Sequence, residues 1–320
     1  MRRLFTPAAV LFLLAAAALS MLAAFNQVKA MGLSWQEEHY LPQLRIAAST
    51  PAYGEDGEGP LSAGVAMGAI GTAEFLRIPR AAGATLVALR IAQNITLLLL
   101  AYGWCRALGL RPYAILLGWM AIAWALTNTA WNTHLAYDSY TEAMLCIVAA
   151  WALLRGNPAW VVPLGLLAAL NRETGWILPL TVFAAVTGGA GVQNASTLRR
   201  FAIPVACALA CAAGAFSLWS GYRPQVQGNT LLMANLESGR TWLQLAATFG
   251  VLPVLALIGW KRSPLPLQCI TVLVTPVLFI WHFTHSPATA THNFVTPLVL
   301  CFLPLALFAL PRATDEVRAE

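Results

Sequence analysis

Long apolar runs separated by short polar intervals organise this chain. The runs are continuous rather than alternating, which predicts helices, since a half-buried strand would alternate. They cover roughly 5–25, 84–105, 113–130, 140–154, 160–170, 175–187, 201–220, 242–260, 265–281 and 294–310. One helical crossing of a bilayer takes about 20 mainly apolar residues. Backbone groups in hydrocarbon must bond internally, which leaves helices or closed barrels. The expected fold is therefore all-α, a polytopic transmembrane bundle of about ten segments. It forms a single integral membrane domain over 1–320. Two segments are short and flank Asn171, Arg172 and Glu173. The stretch 160–187 fits one interrupted segment, a re-entrant hairpin, or paired short helices around a buried turn.

Composition sharpens this picture. The chain is 59% hydrophobic and 10% charged, with a mean hydropathy of +0.67. Soluble domains are about a quarter charged, so lipid suits this surface better than water. The net charge of +6 comes without a basic run, and no nucleic-acid partner is expected. Cys105, Cys146, Cys207, Cys211, Cys269 and Cys301 all fall inside apolar runs, so no disulfide framework is expected. Cys207 and Cys211 stand one helical turn apart and read as small packing residues. The run 5–25 is longer than the apolar part of a cleaved leader, about 7 to 15 residues, and reads as a membrane segment.

Orientation follows from charge. Ten crossings with the N-terminus inside put Arg2, Arg3, Arg106, Arg111, Arg155, Arg199, Arg200, Lys261, Arg262, Arg312 and Arg318 on the cytoplasmic side. The expected location is the plasma (inner) membrane, multi-pass, with both termini cytoplasmic. Trp104, Trp131, Trp160, Trp219, Trp242, Trp260 and Trp281 lie near segment ends, as an aromatic belt would. All five histidines and most acidic residues fall on the outer side. Acid–base chemistry is expected there.

Four outer constellations could carry it. The first is Glu37-Glu38-His39, in a long outer loop over 26–83 that suits helices lying at the interface. A carboxylate there can act as a general base toward a hydroxyl, and a solvated polar turn is the structural alternative. The second is Asp138 with Glu142, four apart on one helical face. Such like charges call for a cation or a shared proton between them, unless Asp138 simply caps a helix. The third is Asn171-Arg172-Glu173-Thr174 between apolar runs, where Arg172 could bind a phosphate or carboxylate, or belong to a structural ion network. The fourth is His282, His285 and His292. Their spacing admits zinc weakly, and hydrogen bonding to lipid phosphate or loop backbone is the alternative. No cofactor motif is present, and the residues neither assign a divalent metal nor exclude one.

The layout resembles the GT-C superfamily of polytopic membrane glycosyltransferases over roughly the first 190 residues. The likeness rests on a first segment leading into a long outer loop with early Glu37-Glu38. It also rests on Leu135-Ala136-Tyr137-Asp138-Ser139-Tyr140 before an apolar helix, and on short helices around Asn171-Arg172-Glu173-Thr174. The resemblance implies transfer of a sugar from a polyprenyl-phosphate donor to an acceptor at the outer face. Glu38 or Glu37 would take the catalytic base role, as glutamate where the family carries aspartate. It implies cationic stabilisation of the leaving lipid phosphate, with Arg80, Arg172 and Arg240 as candidates. Asp138, His39 and His285 complete the expected substrate-binding set. The partners implied are the lipid-linked sugar donor and membrane lipids. A transporter or lipid carrier, and a non-catalytic assembly factor, are the alternative functions.

Overall fold

The structure is a computed structural model that describes residues 7–31, 38–39, 41–49, 59–78, 81–129, 136–190, 197–218 and 228–310. Among the described residues every regular element is helical. The helices are α1 (Pro7–Met31), α2 (Leu41–Ser49), α3 (Pro60–Phe75), α4 (Ala81–Ala107), α5 (Pro112–Asn128), α6 (Tyr137–Leu154) and α7 (Val161–Asn171). They continue with α8 (Ile177–Thr187), α9 (Thr197–Leu218), α10 (Gly228–Glu237), α11 (Gly239–Phe249), α12 (Leu252–Gly259) and α13 (Leu265–His285), ending with α14 (Thr291–Leu307).

Local chemistry sets the boundaries. Proline opens α3 and α5, where its missing N–H costs nothing. Gly109 and Gly156 follow α4 and α6 at φ 88° and 74°, left-handed positions that glycine adopts without a Cβ clash. After Gly156, Asn157 N–H reaches back to Ala152 O at 2.9 Å and closes the helix end.

Each apolar run becomes helical, but the run 242–260 does not form one continuous segment. It breaks at Gly250 into α11 and α12, bent by 57°. Among the described residues three helices are long and apolar enough to cross a membrane: Ala81–Ala107, Arg200–Leu218 and Leu265–His285. The bent pair makes four if counted as one span. Pro158–Asn171, Glu173–Thr187 and Thr291–Leu307 are shorter apolar helices, and α1 is 25 residues long. By length and composition the described residues thus carry fewer clear crossings than the ten apolar segments.

The helix α14 is the centre of the bundle. It is buried on nearly every side, as a helix apolar all round must be. A π-helical stretch, Leu298–Phe302, interrupts it, and Trp104 Nε1 donates to Leu300 O there at 3.1 Å. Trp104 is fully buried, a core residue and not part of an interfacial belt. Trp160 and Trp242 are exposed at helix ends, as the belt expects. Close approach elsewhere depends on small residues. A Cβ on Gly165 in α7 would lie 2.6 Å from Cys207 O in α9, so these two helices meet backbone to backbone. Large apolar side chains such as Leu209, Phe216, Leu257, Val272 and Ile280 face outward.

The stretch 160–187 is a pair of short helices around a buried turn. It runs up from the end of α6 to Asn171 beside Asp138, and back to Gly188, which abuts Pro266 at the start of α13. The bundle therefore has two unlike ends. One carries Arg106, Arg111, Arg155, Lys261 and Arg262 at helix termini. The other gathers the start of α6, the Arg172 turn, the end of α13 and the start of α14.

Candidate functional site

The non-basic end holds a buried polar cluster built from four helix termini. Ala136, at φ 44°, caps the start of α6 in a left-handed conformation that is strained for a residue with a Cβ. The sequence alternative of Asp138 as the cap does not hold. Asp138 lies within the first turn, where its Oδ1 accepts from Ser139 N at 2.7 Å.

Arg172 follows α7 with extended backbone, which turns its side chain onto α6. Its Nε lies 3.2 Å from Asp138 Oδ2, with both side chains buried. One terminal nitrogen donates to Ser139 Oγ and the other to Asn293 Oδ1, each at 2.6 Å. Asn293 Nδ2 donates to Ser286 Oγ at 3.3 Å. A guanidinium is a planar fork of five donors, and spreading it over two helices, α6 and α14, fixes its position. The cation that the Asp138–Glu142 spacing calls for is Arg172, and it pairs with Asp138. Glu142 is held differently, accepting from the hydroxyls of Thr174 and Thr296, the latter at 2.9 Å.

The first loop docks on this cluster. Asn171 Nδ2 donates to Asp138 O at 2.8 Å and its Oδ1 accepts from Ser62 Oγ at 2.7 Å. Gly59, just before α3, sits so close to the Asn171 carbonyl that a Cβ there would overlap it. Helices α2 and α3 pack on each other through Leu41, Leu44, Ala63, Ala66 and Ile70. The loop between the first two long segments thus carries two helices, Leu41–Ser49 and Pro60–Phe75.

The sequence candidates divide. Asp138 and Arg172 come together. Glu38 and His39 are exposed ahead of α2, and Arg240 is exposed in the first turn of α11. Glu37 and Arg80 lie outside the described residues. His285 is exposed and stacks on Trp281 at 3.9 Å, whereas His282 is buried against Phe294. The two imidazoles therefore diverge despite their three-residue spacing. Among the described residues no group of three His, Cys, Asp or Glu side chains is placed to hold a metal. The sequence reading assigns no role in the site to Ser139, Asn293, Thr296 or Ser62. Their only signal is a polar side chain at the margin of an apolar run, which many turn residues share.

No protein-family model, curated protein or solved structure matches this chain.

Proposed function

We propose that this protein is a GT-C-like membrane glycosyltransferase whose transfer site lies at the end of the bundle where Asp138 and Arg172 meet. The observation that carries the reading is the docking of the first loop on a buried cation. Ser62 and Gly59 at the start of α3 seat on Asn171, and Arg172 is locked beside it by Asp138, Ser139 and Asn293. A fixed positive charge next to an acid-bearing loop suits departure of a lipid phosphate.

In this reading the apolar segments form a multi-pass bundle in the plasma membrane. The basic end faces the cytoplasm and the Arg172 end faces outward. Glu38 or Glu37 takes the proton of the acceptor hydroxyl. The new glycosidic bond forms as the bond from the anomeric carbon to the phosphate oxygen breaks, and the phosphate leaves with the electron pair. Arg172 meets the charge that develops on it, and Arg80, Arg240, His39 and His285 contact donor or acceptor at the mouth.

The test is sugar release from labelled polyprenyl-phosphate donors in membrane vesicles. Wild type is expected to release sugar from at least one donor. Glu37→Gln with Glu38→Gln is expected to lower that rate by 10²-fold or more, on the order of a lost general base, at unchanged membrane level. Undiminished release by the double variant would remove the proposed base.

A transporter or lipid carrier is the second reading. The paired short helices carrying a charged turn between the two ends of the bundle favour it. It requires that the Arg172 cluster be reachable from both sides of the membrane.

A further inference from the structure

Arg90 lies in the middle of the long helix α4 and is fully buried. Its guanidinium carbon stands 3.9 Å from the ring centroid of Tyr140 and 4.9 Å from that of Tyr137. The rings meet the flat surface of the cation. They leave its five N–H groups, which point outward in the guanidinium plane, without acceptors. Among the described residues none of the Arg90 nitrogens has a hydrogen-bond partner. Asp138, next to Tyr137 in sequence, is engaged with Arg172 instead.

The surroundings are built to hold this geometry. Tyr137 OH donates to Leu86 O at 2.7 Å, one helical turn before Arg90. Tyr140 OH accepts from Gln27 Nε2 of α1 at 2.8 Å and pairs with Thr129 Oγ1 at 2.8 Å. Gln93 Nε2 donates to Tyr137 O at 3.0 Å. The two tyrosines are thus tied by separate bonds to α1, α4 and α5. Meanwhile the amide oxygens of Gln27, Gln93 and Asn94 are buried with no donor among the described residues. A buried, fixed charge without hydrogen bonds is costly unless something completes it.

We propose that Arg90 is the core of a second, internal anion site that takes a phosphate group, with hydroxyls of the same ligand donating to the amide oxygens of Gln27, Gln93 and Asn94. Phosphate fits because two of its oxygens match the guanidinium fork bidentately, while the tyrosine rings hold the cation from its faces. Helix α1 packs against α4 beside the site, where Asn94 Nδ2 donates to Ser20 O at 3.5 Å. The site is separate from the Asp138–Arg172 cluster and does not depend on the transfer reaction.

The test uses full-length protein purified in neutral detergent and compares wild type, Arg90→Met and Arg90→Lys by thermal unfolding. The probes are inorganic phosphate, a polyprenyl phosphate and the matching polyprenyl alcohol. Wild type is expected to melt higher with a phosphate probe and not with the alcohol. Arg90→Met is expected to lose that shift, and Arg90→Lys to need about tenfold more ligand, because an ammonium lacks the fork. A shift from the polyprenyl phosphate alone identifies a lipid-borne ligand, and a shift from inorganic phosphate as well identifies a free one. No phosphate-dependent shift in wild type, or an equal shift in both variants, overturns the site. Should Arg90→Met fail to fold, Arg90→Lys against wild type decides by the same criterion.

Discussion

Arg172 holds Asp138, Ser139 and Asn293 together, so its removal should cost more than the loss of those bonds. Deleting one member of a buried ion pair leaves the other charged and uncompensated, at about 3–5 kcal/mol. Arg172→Met is therefore expected to destabilise the protein by about that amount, whereas Arg172→Met combined with Asp138→Asn should recover most of it. Unfolding can be followed by a thiol-reactive dye, since Cys105, Cys146, Cys207, Cys211 and Cys301 are buried and react only as the fold opens. A double variant no more stable than the single one would mean that the pair does not carry the coupling. Glu142 differs in kind, because two threonine hydroxyls and not a cation hold it. Nothing in the four-residue spacing of Asp138 and Glu142 separates these roles. The pairing comes from Arg172, which is distant in sequence and makes its close contact with Asp138, while its charge still acts on Glu142.

Among the helices, α7 and α9 approach each other through small residues, which let two backbones come close. Gly165 faces Cys207, and Gly214 faces Leu166 and Ala169. Gly165→Val is expected to destabilise the protein by about 1–3 kcal/mol through forced separation of the two helices. Gly68→Ala in α3, which meets nothing within 4 Å, should be neutral or gain up to about 1 kcal/mol. The same unfolding assay reads both, and equal effects would contradict the packing account. The bend between α11 and α12 is decided differently. The run 242–260 is apolar enough for one span, yet Gly250 at φ 52° turns the chain by 57°. Hydropathy averages over such a residue and gives no sign of the turn.

For the molecule as a whole, the separation of its two ends is the property with the largest consequence. Exposed Arg155 marks one end, and exposed Glu237 lies at the other, beside Asn235, which donates to Ser286 O at 2.9 Å. In intact cells an impermeant maleimide is expected to label Glu237→Cys and to label Arg155→Cys only after permeabilisation. Five of the six native cysteines are buried, and the half-buried Cys269 is replaced by serine in this background. Reversed labelling would invert the orientation, and labelling of both from outside would mean that no bilayer separates the ends. If cysteine at Pro287, near the Arg172 cluster, is labelled from either side, the transporter reading gains over the transferase.

Composition and periodicity were enough to establish the helical class and the approximate place of the long apolar helices. These follow from local rules: continuous apolar runs in a backbone that must satisfy its own hydrogen bonds. The same rules marked Asp138 and Arg172, because charge beside hydrocarbon is costly enough to be conspicuous. Only the folded molecule decided that Arg172 chooses Asp138 over Glu142, that His282 turns inward while His285 stays out, and that Trp104 belongs to the core. It alone set Arg90 between two tyrosines. Each of these depends on which helix face meets which neighbour, and that is a matter of distances between residues far apart in the chain, which no local pattern encodes.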